Sequence, residues 1–397
     1  MSQVVPLVFF SNSQERGGAE EHVLTLLRSL SREYFKFYLA CPPVVARALK
    51  KDLPNDVEVA EIDLTSPSQI GEASKLYSLL RETKAQILHS HLFFASFFAS
   101  PIGKIAGVPL VIETPHVREQ WRKGWKASYR IDRFAGMFVD HYIAVSAANK
   151  KYLVEEKGLP AEKITVILNG SDLRRFSENV SSQKVRAQIG IAPNDLLVVV
   201  PARLAPQKGH TVLLDAAPEV IKRFPSVRFA CVGDGELKNE LTARAVRLGV
   251  EANFLWLGFQ PNMPDWYAAA DVVALPSFFE GLPLSMIEAL ASGRAAVASA
   301  VDGTPEIVVH EKTGLLVSPG NPAELSEALV RLLADSSLRA KLGAAGVRWV
   351  NETFSDTRQV DATEQLYLDL IDRKTGSKHF RKTADVRPHE VTLEQTR

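Results

Sequence analysis

Val272-Val273-Ala274-Leu275-Pro276-Ser277-Phe278-Phe279-Glu280-Gly281-Leu282-Pro283-Leu284-Ser285-Met286-Ile287-Glu288-Ala289-Leu290 is the stretch on which the reading of the chain turns. Its first four residues form an apolar run of the kind that makes a buried strand. Pro283 suits the first turn of a helix, where a missing N–H is no loss. Strand, loop and helix start therefore follow one another. Glu280 falls in the loop and Glu288 in the helix. Their spacing is about two helical turns, roughly 12 Å of rise if all of it were helical. Glu280 is thus expected at the mouth and Glu288 deeper on the same side. Amides at a helix start, at the positive end of its dipole, favour an anion such as phosphate. A carboxylate beside that point accepts hydrogen bonds from sugar hydroxyls.

Upstream, Leu196 to Pro201 reads as a strand and runs into Ala202-Arg203-Leu204-Ala205-Pro206-Gln207-Lys208-Gly209-His210. In such a strand-to-helix loop Arg203 and Lys208 can flank a diphosphate, one as a forked donor and the other as a point charge. Phe229 to Val232 is a buried strand entering the turn Gly233-Asp234-Gly235. No Gly-x-Gly-x-x-Gly follows, so this is not a dinucleotide fingerprint. Phe254 to Phe259, Ala295 to Ser299 and Gly314 to Val317 supply further strands. Pro322 to Leu333, Leu338 to Val350 and Ala362 to Ile371 have the apolar spacing of helices. From about Lys374 the chain is polar without apolar periodicity, as expected of a loosely docked tail.

The N-terminal half repeats the plan. Val4 to Phe10 reads as a strand, and a loop containing Gly17-Gly18 leads to Val23, Leu26, Leu27 and Leu30 at helical spacing. That is the opening of a doubly wound α/β domain. Paired glycines let the backbone approach a ligand closely, and they also make a plain tight turn. Phe35 to Ala40, Val57 to Ala60, Ile87 to His89, Leu110 to Thr114 and Tyr142 to Val145 read as strands. The helices between them are Ala46 to Lys51, Ser68 to Arg81, Ala95 to Ala106 and Ala147 to Lys157. Such alternation implies a parallel sheet. His89, His91 and His116 fall at strand ends, where ligands gather; His89 and His91 suit packing or supporting roles. Ile164 to Asp172 is a strand and turn, and the polar Ser177 to Val185 is expected to loop into the second domain.

Arg118, Arg122, Lys126 and Arg130 recur every fourth position, and so do Trp121, Trp125 and Tyr129. On a helix this makes a basic ridge beside an aromatic one. The surface suits an anionic headgroup boundary or a lipid-phosphate acceptor. An amphipathic helix packed on the sheet, with its cations in solvent, is the other reading, and Gly124 weakens a continuous helix.

The length, 397 residues, suits two domains, and a net charge of +1 gives no bulk argument for nucleic acid. Two cysteines, Cys41 and Cys231, far apart in apolar settings, offer neither a disulfide framework nor metal spacing and fit a reducing cytoplasm. No signal-peptide pattern is evident. The apolar stretch Leu92 to Val108 contains Pro101 and Lys104 and falls short of a membrane span.

Glu280-x7-Glu288, within Ser277-x-x-Glu280-Gly281 and followed by Ala289-x-Ala291-Ser292-Gly293, resembles the signature of the family-4 retaining glycosyltransferases. Gly17-Gly18-Ala19-Glu20, Glu113-Thr114-Pro115-His116, Asn169-Gly170-Ser171-Asp172 and Arg203-Leu204-x3-Lys208-Gly209 fall in the family's order. The likeness runs over nearly all of residues 1 to 372. It implies an α/β GT-B fold of two Rossmann-like doubly wound domains with an interdomain cleft. Residues 1–176 would be the acceptor-side domain and 177–355 the nucleotide-sugar domain. Residues 356–372 would be a helix crossing back to the first domain, and 373–397 a flexible tail.

The resemblance also implies roles. Glu280 and His116 would act on the transferred sugar as catalytic residues. Gly17, Gly18, Arg203, Lys208, Gly235, Gly281, Leu282 and Leu284 would bind the donor together with Glu280. Glu288 would hold the ribose, and Gly258 to Met263 the base, through backbone groups. Trp121, Arg122, Trp125, Lys126 and Arg130 remain for acceptor or membrane. The implied reaction moves a sugar with retention from a UDP- or GDP-sugar to a hydroxyl of a glycan or lipid-linked glycan, as in surface-polysaccharide or lipopolysaccharide assembly. Its expected place is the cytoplasm, with a peripheral seat on the inner face of the membrane. No cofactor is implied. The chain contains no Asp-x-Asp, so no metal on the diphosphate is required. Sugar-nucleotide epimerisation and non-catalytic nucleotide-sugar binding are the alternatives. A phosphorylase-like enzyme would need a pyridoxal lysine and a much longer chain.

Overall fold

The computed structural model describes residues 4–66, 68–118, 129–176, 180–192 and 195–376. Two compact units divide the chain: one runs to Gly170 and resumes at Asp356, the other spans Ser171–Ser355.

The first unit is built from β1 (Val5–Ser11), α1 (Gly18–Ser29), β2 (Phe35–Cys41), α2 (Pro43–Leu49), β3 (Glu58–Glu61), α3 (Ile70–Glu82) and β4 (Ile87–His91). It continues with α4 (Phe93–Ile105), β5 (Leu110–Thr114), α5 (Tyr129–Ala135), β6 (His141–Ala144), α6 (Ala147–Glu155) and β7 (Ile164–Val166). The strands form one parallel sheet in the order β3-β2-β1-β4-β5-β6-β7. Helices cover both faces, which is why its central strands read as continuous apolar runs rather than alternating ones. Phe9, Phe35 and Phe37 face one core, while Val8, Phe10 and Leu88 face the other.

The second unit repeats the scheme with α7 (Ser182–Gln188), β8 (Leu197–Pro201), α8 (His210–Arg223), β9 (Arg228–Val232), α9 (Lys238–Leu248), β10 (Phe254–Trp256), α10 (Met263–Ala269) and β11 (Val272–Leu275). Then come α11 (Leu284–Ala291), β12 (Ala295–Ser299), α12 (Thr304–Ile307), β13 (Gly314–Val317), α13 (Pro322–Ala334) and α14 (Ser336–Thr353). Its parallel sheet runs β10-β9-β8-β11-β12-β13. The expected loop over 177–185 is in part a helix. Ser181 caps α7, its hydroxyl accepting from the Lys184 amide at 3.4 Å.

The last helix, α15 (Asp356–Thr375), belongs to the first unit. Val360, Tyr367, Leu368 and Ile371 recur on one face and pack in the core with Phe35 and Leu27. The tail from 377 onward lies outside the described residues. Among the described residues no helix is long and apolar enough to cross a membrane.

Topology fixes where a site forms. In a doubly wound sheet the loops diverge where strand order reverses, leaving a crevice at the strand C-termini. In the first unit that point lies between β1 and β4, so the loop before α1 and the ends of β4 and β5 meet there. In the second it lies between β8 and β11, so the loops ending at Lys208 and Glu280 meet there.

Candidate active site

In the second unit, Gly209 holds the β8–α8 loop against the β11–α11 loop. Its φ is +66°, and a Cβ on it would lie 1.9 Å from the carbonyl oxygen of Pro276. The Phe278 amide donates to the Gln207 carbonyl at 2.8 Å, and Gln207 Nε2 donates to the Phe279 carbonyl at 2.9 Å. This contact carries Lys208 to Glu280. Lys208 Nζ donates to Glu280 Oε1 at 2.7 Å and Oε2 at 2.9 Å. Ser277 Oγ donates to Oε1 at 2.7 Å, and the Glu280 amide donates to Asp302 Oδ2 at 2.9 Å. Glu280 is 4% exposed, whereas Glu288 is half-buried and accepts from the Tyr267 hydroxyl at 2.8 Å. The depth order expected from spacing is therefore reversed. Glu280 is drawn inward by its partners in the loop, while Glu288 turns to the partly open side of α11.

Gly281 and Leu282 are buried ahead of α11, Pro283 sits at its N-cap, and Leu284 is its first residue. The dipole of α11 thus points its positive end at the Glu280 loop. Arg203 is exposed on the loop that carries Lys208. Gly233 and Gly235 have φ of +148° and +158°, and Cβ atoms there would lie 2.2 Å from the Ala202 carbonyl and 2.6 Å from that of Leu204. These glycines are needed first for packing against the Arg203 loop, a demand that the short turn motif did not reveal.

In the first unit, Gly17 caps α1, and its amide donates to Glu20 Oε2 at 3.0 Å. Burial raises the Glu20 carboxyl above the ordinary range, opposed by hydrogen bonds from its own and the Gly17 amide and from Ser11 and Ser13. Gly17 has φ −145°, and a Cβ at Gly18 would meet nothing within 4 Å among the described residues. The glycine pair is therefore not imposed by packing against the described residues.

His116 follows β5 and is buried, and its Nε2 lies 3.0 Å from His91 Nδ1 at the end of β4. His22 of α1 packs edge-on against His116 with ring centroids 4.8 Å apart. Its Nδ1 lies 2.9 Å from Asn169 Oδ1 and 2.8 Å from Gln359 Nε2. His89 bridges the Tyr367 hydroxyl at 2.5 Å and the Thr114 hydroxyl at 2.7 Å. Burial holds all four imidazoles below their ordinary range, and neighbouring histidines lower His89, His91 and His116 further. His22 is pushed down to about 4. The cluster is neutral at physiological pH.

Among the described residues, His22, His91 and His116 form a possible metal-ligand group, with nitrogens all within 4.8 Å. The His91–His116 separation of 3.0 Å is that of nitrogens sharing a proton. It is shorter than the roughly 3.3 Å between two ligands of a tetrahedral zinc site. In this structure His91 and His116 form a hydrogen-bonded pair, and His22 meets both only through ring packing.

His22, Asn169, Tyr267, Asp302, Gln359 and Tyr367 join these clusters without having been singled out as site residues. Two of them left a local signal: His22, a polar residue on the apolar face of α1, and Asn169, in the Asn169-Gly170-Ser171-Asp172 motif. Arg130 is exposed on α5, while Trp121, Arg122, Trp125 and Lys126 lie outside the described residues. Arg118 pairs with Glu156 at 2.8 Å and lies over the Tyr152 ring at 4.5 Å.

Residues 16–175 match the family described as Glycosyltransferase Family 4, and residues 181–349 match Glycosyl transferases group 1. The chain is 30% identical over 307 residues to UDP-Gal:alpha-D-GlcNAc-diphosphoundecaprenol alpha-1,3-galactosyltransferase of Escherichia coli, spanning 75% of this chain and 79% of that protein. It is 32% identical over 243 residues to a D-inositol 3-phosphate glycosyltransferase of Streptomyces bingchenggensis, spanning 58% of this chain and 53% of that one. The crystal structure of Anabaena HepE in complex with UDP-glucose is similar at TM-score 0.81 and 22% identity, over 92% of this chain and 99% of that one; this likeness speaks for the fold. The chain belongs to the family-4 glycosyltransferases, enzymes of GT-B architecture that draw a sugar from a nucleotide-sugar donor.

Proposed function

We propose that the protein transfers a sugar, with retention and without a bound metal, from a UDP- or GDP-sugar to a hydroxyl of a glycan or lipid-linked glycan. The observation that carries this reading is the Lys208–Glu280 pair beside the start of α11. An ammonium has three donors, and Glu280 takes two of those of Lys208, leaving one for a phosphate oxygen. With Arg203 and the amides of 281 to 285, it would stabilise the departing diphosphate. Glu280 would bind the hydroxyls of the transferred sugar and offset its developing positive charge. Glu288, anchored by Tyr267, would bind the ribose. Gly17, Gly18 and Gly235 would let the protein backbone approach the donor closely. His116, being neutral, would contact the sugar without opposing its oxocarbenium character.

The C1–O bond to phosphate breaks and its electron pair leaves with the nucleoside diphosphate. The acceptor oxygen attacks C1 from the same face, and its proton passes to a phosphate oxygen. No covalent glycosyl-enzyme is required. The test is incubation with a panel of nucleotide sugars, with and without a polyprenyl-diphosphate-linked saccharide. Anomeric couplings of the product are then read by NMR. Acceptor-dependent release of nucleoside diphosphate with an unchanged anomer is expected. Acceptor-independent rearrangement, or an inverted product, would refute the proposal.

The acceptor side fits a lipid-linked glycan at an anionic surface, as in surface-polysaccharide or lipopolysaccharide assembly on the inner face of the membrane. The Escherichia coli relative is named for a diphosphoundecaprenol acceptor. Arg130, Arg133, Phe134 and Met137 recur along α5 and the 3₁₀ turn Gly136–Phe138 at a helix-face spacing, and all four are exposed. Phe134 is 58% and Met137 66% exposed. Cations beside large apolar side chains suit a headgroup boundary. The stripe Trp121, Arg122, Trp125 and Lys126 immediately precedes them in the sequence. Changing Arg122, Lys126 and Arg130 to Glu is expected to abolish sedimentation with phosphatidylglycerol vesicles, and unchanged sedimentation would overturn this part of the reading.

A further inference from the structure

We propose that His91 is a positioning residue that fixes the tautomer of His116, so that His116 meets the sugar as a hydrogen-bond donor through Nδ1. The inference rests on the reading of His116 as a sugar contact. His91 Nδ1 and His116 Nε2 are 3.0 Å apart and both rings are buried. Both are neutral, so one proton lies between these two nitrogens. Two arrangements satisfy the pair. In one, His91 Nδ1–H donates to His116 Nε2, and the proton of His116 sits on Nδ1. In the other, His116 Nε2–H donates to His91 Nδ1, and the proton of His91 sits on Nε2.

His91 Nε2 decides between them. It is fully buried and has no hydrogen-bond partner among the described residues. Around the ring lie Phe9, His22 and His89, with centroids 5.7, 5.3 and 4.1 Å away. The second arrangement strands an N–H donor among these rings. The first leaves only a lone pair there, and stranded N–H groups are the rarer kind in protein interiors. The first arrangement is therefore favoured. It leaves His116 Nδ1 as the remaining nitrogen, carrying a proton. A sugar hydroxyl oxygen would then accept from it, while a neutral acceptor nitrogen would demand the opposite polarity. The two rings are close to parallel, with 27° between planes, which keeps the shared hydrogen near both ring planes.

The experiment needs no variant for its first arm. Ring ¹⁵N spectra of the histidine-labelled whole protein are recorded, with His116 assigned by its loss in His116→Gln. Nδ1 of His116 is expected to be protonated and Nε2 not; the reverse overturns the proposal whatever the enzyme does. The second arm compares His91→Asn with His91→Leu. An Asn amide nitrogen occupies nearly the place of His Nδ1 and keeps the donor. His91→Leu is expected to lower kcat/KM by roughly ten- to hundredfold, and His91→Asn to restore most of it. Equal losses in both, with native circular dichroism, would refute a tautomer-setting role. If the spectra agree but His116→Gln is fully active, the tautomer stands and the reading of His116 as a sugar contact fails.

Discussion

The two units share one plan, yet their strand ends are built on opposite principles. In the second unit the loops after β8 and β11 are pinned by glycines that packing demands, and they hold an ion pair, Lys208 and Glu280. In the first unit Gly17 and Gly18 are not demanded by packing among the described residues, the Gly17 amide binds the buried Glu20 carboxyl, and the ends of β4 and β5 carry buried histidines. On the proposed reading the second unit meets the charge of the diphosphate, and the uncharged histidines of the first meet the sugar. A reaction that separates a diphosphate from a cationic sugar needs both, and a cation near the sugar would oppose it.

The contrast is broken most directly by removing the charge. Glu280→Gln, which keeps shape, is expected to lower kcat about a thousandfold, with Lys208→Ala close behind. Native circular dichroism and near-normal turnover in either would remove the ion pair from the chemistry. Next is Gly209→Ala. The new Cβ would collide with the Pro276 carbonyl at a positive φ, so a loss of about 2–4 kcal/mol in urea unfolding is expected, together with most activity.

Acid should separate the two units. His22 and His141 in the first unit and His210 in the second are all pushed down from 6.5 to about 4, chiefly by burial. His89, His91 and His116 add to the first unit in the same direction. The unfolded chain takes up these protons near pH 6.5 and the folded one only below that, so stability is full above neutrality and falls as pH drops from about 6.5 towards 4. Each histidine contributes about 1.4 kcal/mol per pH unit within that window. Glu20, whose carboxyl is raised by burial, opposes this by a single proton. Hydrogen exchange at pH 5 should therefore show the first unit opening before the second; simultaneous opening would contradict the difference. The smallest effect belongs to Gly18→Ala. Stability should change by less than about 0.5 kcal/mol, while KM for the nucleotide sugar rises severalfold. A destabilisation matching that of Gly209→Ala would erase the distinction between the glycines.

Much was legible locally. β5, β11, β12 and β13 fall on the residues that their apolar runs marked, because burial on both faces writes itself as consecutive Val, Ala, Leu and Ile. Apolar spacing alone marked the last helix only from Ala362 to Ile371, because its outer turns are mostly polar, whereas the family resemblance put its start at Asp356, where α15 begins. The depth of Glu280 was misjudged because spacing reports helical rise but not which partners draw a loop inward.

The sequence by itself determined the two α/β units, the order of the motifs and the family, since strand runs, helix spacing and glycine loops are short-range patterns. Only the tertiary structure decided the partners. Lys208 meets Glu280 across 72 positions, His22 meets Gln359 across 337, and His89 meets Tyr367 across 278. A side chain's polarity is written in the sequence. The group that will satisfy it once water is excluded is chosen by sheet order and helix packing.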